Sequence, residues 1–117
     1  MTKMLCGYRV LDITQFVAGP TCSRLMAELG ADVIKVELTP IGDHARRSGL
    51  RSRKKEYANC TQSTYFAQHN HSKRSLAINL KSNEGQALIK KLIERSDVLV
   101  ENFAPGVIGR MGLSYDE

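Results

Sequence analysis

Apolar positions in this chain fall into short runs separated by polar turns. Arg9-Val10-Leu11-Asp12-Ile13 is largely apolar and rich in β-formers, and reads as a strand. Ala18-Gly19-Pro20 follows, a turn whose proline suits the first position of a helix. Across residues 21–29, Leu25, Met26 and Leu29 share one face, with Arg24 and Glu28 elsewhere, which predicts a helix. Gly30 stands where a left-handed C-terminal cap belongs. Asp32-Val33-Ile34-Lys35-Val36-Glu37 alternates over four residues and predicts a second strand. Strand, helix and strand in this order predict two parallel strands joined by a right-handed crossover.

Residues 39–74 show no clear period, contain Pro40, Gly42 and Gly49, and are rich in basic and polar side chains. They read as a long basic loop with a short anchor at Tyr65-Phe66-Ala67; its part at 39–64 is expected to be poorly ordered without ligand. Ser75-Leu76-Ala77-Ile78-Asn79-Leu80 predicts a third strand. Ser82 is placed to cap a helix over 83–95, whose stripe is Leu88, Ile89, Leu92 and Ile93. Asp97-Val98-Leu99-Val100-Glu101 predicts a fourth strand, and Pro105-Gly106 with Gly109 frame a short helical turn. Ser114-Tyr115-Asp116-Glu117 has the spacing of a capping box, so a further helix is expected where the sequence stops. The whole predicts an α/β, Rossmann-like, mainly parallel sheet with flanking helices, the N-terminal part of a larger domain. Ligands of such sheets sit beyond the carboxyl ends of the strands. That directs attention to residues 14–20, 38–47, 81–84 and 102–110.

Composition narrows the chemistry. With 117 residues the chain is long enough for one core. Its net charge of +5 calls for an anionic partner. The three cysteines are odd in number and lack CxxC spacing, which argues against a disulfide framework or a four-thiolate zinc site and for reduced thiols in the cytoplasm. No apolar stretch approaches the ~20 residues of a membrane span, and the first five residues carry no secretory h-region.

No GxGxxG follows the first strand, so a dinucleotide site of the usual kind is not supported, although the helix N-terminus there favours an anion or a carbonyl oxygen. Arg46, Arg47, Arg51, Arg53, Lys54 and Lys55 place six cations within ten residues, either as a solvated face or as a phosphate-binding run. Aromatic residues stand only at the margins of this run, which weakens a nucleic-acid reading. His69 and His71 would share one face of a strand, but no acid or cysteine lies beside them and no metal site is expected. Asp12 and Glu37 read as structural, while Asp43 and Glu101 read as residues of the cleft.

Four blocks in order then resemble the class III CoA-transferases, the group that includes formyl-CoA transferase, carnitine CoA-transferase and α-methylacyl-CoA racemase. They are Gly7-Tyr8-Arg9-Val10-Leu11-Asp12-Ile13-Thr14 with Ala18-Gly19-Pro20, and Leu29-Gly30-Ala31-Asp32-Val33-Ile34-Lys35-Val36-Glu37 with Gly42-Asp43. The others are Lys73-Arg74-Ser75 leading to Leu80-Lys81, and Asp97-Val98-Leu99-Val100-Glu101-Asn102-Phe103 with Pro105-Gly106 and Arg110-Met111-Gly112-Leu113. The resemblance implies coenzyme A or acyl-CoA as substrate, no metal, carboxylate co-substrates, a homodimer of full-length chains, and no membrane or nucleic-acid partner. It implies transfer of CoA between carboxylic acids through an aspartyl-CoA intermediate, with the aspartate outside these residues. Racemisation of an α-methylacyl-CoA is the alternative within the family, and a basic nucleic-acid-binding module the alternative outside it. Carried over position by position, CoA contacts fall on Phe16, Val17 and Ala18, on Ile78 and Lys81, on Asn102 and Phe103, and on Arg110. Leu38 occupies a CoA-facing position where some members carry an arginine, and the run at 46–55 is expected to compensate.

Overall fold

A computed structural model describes residues 2–49 and 63–116. Its elements are β1 (Arg9–Asp12), α1 (Ala18–Glu28), β2 (Asp32–Leu38), a short 3-10 helix (His44–Arg47), α2 (Thr64–Asn70), β3 (Arg74–Ile78), α3 (Asn83–Ile93), β4 (Val98–Val100) and α4 (Val107–Arg110). The four strands form one sheet in the order β3-β2-β1-β4. Every pairing is parallel, with Val10 opposite both Val33 and Val98, and Ile34 opposite Arg74. All strand carboxyl ends therefore lie on one edge, and the order reverses between β1 and β4.

The two faces of the sheet are built differently. Leu11, Ile13, Ile34, Val36, Ile78 and Leu80 point to one side, where Ile89 of α3 completes an apolar core and Ile108 and Met111 pack on it. Alternate residues point the other way: Val10 and Val33 meet Ala27 and Ala31 beneath α1. Further along the same side stand Asp12, Lys35 and Glu37, all buried. Helices α1 and α3 thus cover opposite faces. Crossovers of one hand require this, because β1 to β2 and β3 to β4 run in opposite directions across the sheet.

Helix α1 departs from the expected stripe. Leu25 and Leu29 are 48% and 44% exposed, whereas Gly19, Pro20, Ser23 and Ala27 are buried. The contact face is a row of small residues four apart, which lets the helix lie close to the sheet. A β-carbon on Gly19 would overlap the Thr14 side chain. Pro20 is the third helical residue rather than the first, still within the turn whose N–H groups have no helical partner. The expected caps are present: Gly30 has φ +107°, and Ser82 Oγ accepts from Gly85 N at 3.0 Å.

The expected long loop also contains structure. Asp43 caps the 3-10 helix by accepting from Ala45 N at 2.9 Å. Ser63 caps α2 by accepting from Phe66 N at 3.0 Å, and its hydroxyl donates to Ala45 O at 2.9 Å. His69 lies on α2 and His71 caps its end, so neither is on a strand. Among the described residues no cluster of metal-ligating side chains occurs and no helix is long and apolar enough to cross a membrane. Residues 50–62, which hold Arg51, Arg53, Lys54, Lys55 and Cys60, lie outside the described residues, as does Glu117. Residues 115–116, where a helix was expected to start, form a turn.

Candidate functional site

The carboxyl edge of the sheet carries two groups of expected site residues. The first lies at the reversal of strand order. Phe16, Val17 and Ala18 are exposed in the loop leading into α1. Asn102, just past β4, reaches across to this loop and makes two hydrogen bonds with Gln15: its Oδ1 accepts from Gln15 N at 2.9 Å and its Nδ2 donates to Gln15 O at 2.8 Å. Asn102 thus ties the β1 and β4 loops together. Phe103, next in sequence, packs half-buried against the apolar core.

The second group surrounds a cavity of about 400 Å³. Leu38 and Thr39 come from the end of β2, Asn79, Leu80 and Lys81 from the end of β3, Gln86 from α3, and Val107, Arg110 and Met111 from α4 and its end. Three positions expected from the sequence, Leu38, Lys81 and Arg110, thereby meet at one cavity. Two exposed cations stand on walls made largely by leucine, valine and methionine. Ile78 lies just inside, only 4% exposed in the apolar core, and its carbonyl accepts from Thr39 N at 3.1 Å. The cavity residues that sequence reading missed are Thr39, Asn79, Gln86, Val107 and Met111. Val107, Arg110 and Met111 fall three and four apart, a helical signal legible around the predicted turn.

Behind the β1 loop lies a buried charged layer. Lys73 Nζ donates to Asp12 Oδ2 at 2.8 Å, Pro20 O at 2.8 Å and Asn70 Oδ1 at 2.9 Å. Asp12 also accepts from Thr14 N at 2.9 Å and Ser23 Oγ at 2.6 Å. Lys35 Nζ donates to Thr14 O and pairs with Asp43 Oδ2 at 3.0 Å. Arg46 grips Glu37 through two nitrogens, at 2.6 and 2.5 Å, while its guanidinium lies over the Phe66 ring. Arg46, the first cation of the basic run, is thus turned inward and paired. Asp43, expected in the cleft, is 1% exposed and belongs to this layer.

Burial pushes the Asp12 carboxyl up, but the Lys35 and Lys73 ammonium groups and hydrogen bonds from Lys73 and Ser23 outweigh it, holding it below the usual range. Glu37 is likewise raised by burial and lowered further by Arg46, the Asp43 N–H and Lys35, with a net downward shift. Burial lowers Lys73 below the ordinary lysine value despite Asp12. Three carboxylates and three cations compensate one another here, so this layer supports the loop structurally and offers no free nucleophile.

The sequence model of CoA-transferase family III matches residues 5–117. The chain belongs to CoA-transferase family III. Curated relatives of this family III chain include the formyl-CoA:oxalate CoA-transferases of Bradyrhizobium diazoefficiens, 44% identical, and Rhodopseudomonas palustris, 46% identical. Both alignments cover 100% of this chain and 26% of the relative, so the chain spans about a quarter of their length. Among solved structures, a hypothetical protein (Rv3272) from Mycobacterium tuberculosis matches with TM-score 0.83 and 37% identity, over 97% of this chain and 29% of that one. A CAIB/BAIF family protein from Brucella suis matches with TM-score 0.83 and 31% identity, over 99% and 30%. The α/β fold and parallel sheet expected from the sequence are those of the family.

Proposed function

We propose that these residues form the coenzyme A-binding part of a CoA-transferase that moves CoA between carboxylic acids. The observation carrying this reading is the convergence of Lys81 and Arg110 on one apolar-walled cavity at the carboxyl edge of a parallel sheet. CoA joins phosphate groups to a long, weakly polar arm. Two cations beside apolar walls suit both parts of such a ligand. Phe16, Val17 and Ala18 present a second exposed segment on the same edge, with Asn102 fixing its position, while Ile78 and Phe103 belong to the apolar core behind that edge. Leu38 lines the cavity with an apolar surface, so the charge opposite the nucleotide end falls to Lys81 and Arg110.

Transfer is favoured over racemisation because the curated relatives at 44–46% identity are named formyl-CoA:oxalate CoA-transferases. A nucleic-acid module is disfavoured because the CoA-transferase family III match spans residues 5–117 and Arg46, the first cation of the basic run, is paired with Glu37. In this reading the acyl-carrying aspartate lies outside the 117 residues, as the family resemblance implies, and Asp12 and Asp43 serve the buried charged layer. The full enzyme is a cytoplasmic homodimer, and its exposed Leu25, Leu29 and Tyr8 supply apolar surface for further packing.

Titration calorimetry with CoA on the chain and on Lys81→Ala and Arg110→Ala tests the reading. Loss of a charge-assisted phosphate contact is expected to weaken binding roughly tenfold or more in each variant. Unchanged affinity in both removes the assignment.

A further inference from the structure

The loop after β1 is held almost wholly by side chains from other elements. Thr14 donates its N–H to Asp12 at 2.9 Å and gives its carbonyl to Lys35. Gln15 is bracketed by Asn102. Phe16 N donates to Asp43 Oδ1 at 3.2 Å, and its ring stacks on His44 with centroids 5.6 Å apart and planes 9° from parallel. Phe16 has φ +67°, a left-handed conformation disfavoured for a residue with a bulky β-carbon substituent. It persists because the surroundings over-determine it. Asp43 is the nearest cause: buried at the N-cap of the 3-10 helix, it faces Lys35 with Oδ2 at 3.0 Å, which leaves Oδ1 aimed at Phe16 N and Ala45 N.

We propose that Asp43 is a positioning residue for the CoA-facing loop, its Oδ1 holding Phe16 in the left-handed conformation so that cofactor affinity depends on a side chain that does not contact the cofactor. The inference rests on the CoA-binding reading above. The loop is then preorganised before ligand arrives, and binding is spared the cost of ordering it. A competing role, capping of the 3-10 helix alone, predicts no effect at Phe16 when a shorter capping oxygen replaces the carboxylate.

Three variants separate the roles. Asp43→Ser keeps a capping oxygen for Ala45 but lacks the reach to Phe16. Asp43→Asn keeps an Oδ1 acceptor for both amides and, like Asp43→Ser, takes the carboxylate from Lys35. Asp43→Glu keeps a carboxylate for Lys35 but displaces its oxygens by one methylene. Amide hydrogen exchange is measured without ligand. Both Asp43→Ser and Asp43→Asn take the carboxylate from Lys35, and β2 amides report that shared loss. Beyond it, the Phe16 amide is expected to exchange about tenfold faster in Asp43→Ser than in Asp43→Asn. Asp43→Glu is expected to speed Phe16 exchange in the same direction relative to the parent, and it carries the test if Asp43→Ser does not fold. Phe16 exchange in Asp43→Ser no faster than in Asp43→Asn, or unchanged in Asp43→Glu when that variant carries the test, overturns the proposal, as does acceleration spread evenly over Phe16, β1 and β2. CoA titration of the same proteins distinguishes the two readings. No binding by the parent chain removes the CoA reading, while exchange still judges the loop. Parent binding that persists unweakened in a variant with fast Phe16 exchange overturns the link between loop and cofactor.

Discussion

Replacing Lys73 by methionine isolates the buried charged layer. Methionine keeps most of the length and apolar bulk of the stem, so the change removes chiefly the ammonium group. That group satisfies Asp12, Pro20 O and Asn70 at once, at 2.8–2.9 Å, from a side chain only 1% exposed. Asp12 retains Ser23, Thr14 and a more distant Lys35 at 3.9 Å. Removing one partner of a buried pair leaves an under-compensated charge, and such losses run to about 3–5 kcal/mol. Against a total of ~5–15 kcal/mol for a domain this is a large fraction, equivalent to roughly 12–20 °C in Tm. The effect should also depend on pH with a definite sign. Asp12 and Glu37 are held below their ordinary values, so their contribution is full above about pH 5 and is lost as pH falls through the lower folded values. Lys73→Met removes much of what holds Asp12 down. The gap between parent and variant is therefore widest at neutral pH and narrows in acid. Urea unfolding at pH 7 and about pH 2.5 measures both quantities. A loss under about 1 kcal/mol at pH 7, the level of a solvent-exposed pair, or a gap independent of pH, would refute the reasoning.

Two further outcomes follow from the geometry. Gly19→Ala places a β-carbon into the Thr14 side chain and is expected to destabilise by about 1–3 kcal/mol, read by thermal melting, with α1 pushed off the sheet. The 117-residue chain, incubated with several acyl-CoA donors and carboxylate acceptors, is expected to show no sustained ester exchange and no acyl adduct on any Asp or Glu by mass spectrometry.

The parts of this fold legible in the sequence are those governed by apolar runs and caps. The β1, β2 and β4 segments declare themselves by Val10-Leu11, Val33-Ile34 and Val98-Leu99-Val100, and α3 by Ser82 and a stripe in which Ile89, Leu92 and Ile93 face the core while Leu88, also expected there, is 45% exposed. Helix α1 was placed but turned wrongly, since a reading by hydrophobicity selects Leu25 and Leu29 when close approach selects Gly19, Ser23 and Ala27. Helix α2 shows no period because it buries only Phe66 and Asn70; the serine preceding it was its best signal. Of the site, Lys81 and Arg110 were reached through their positions after strand ends and through family blocks. Their meeting with Leu38 depends on β2, β3 and α4 being brought together, which no local spacing encodes. The charged layer was the least legible. Alternation marks Lys35 and Glu37 as facing one side, but only tertiary packing shows that this side is covered rather than wet.

The unlike faces of the sheet also bear on how such a chain drifts under mutation. Beneath α3 the requirement is volume and apolarity, which Leu11, Ile34, Ile78 and Ile89 meet interchangeably enough for one residue to change at a time. Beneath α1 and α2 the requirement is charge compensation, which Asp12, Lys35, Asp43 and Lys73 meet only jointly, since altering one strands the charge of another. Neutral divergence should therefore accumulate singly on the α3 side and arrive in correlated sets on the other, making the charged layer the slower-changing record of the fold.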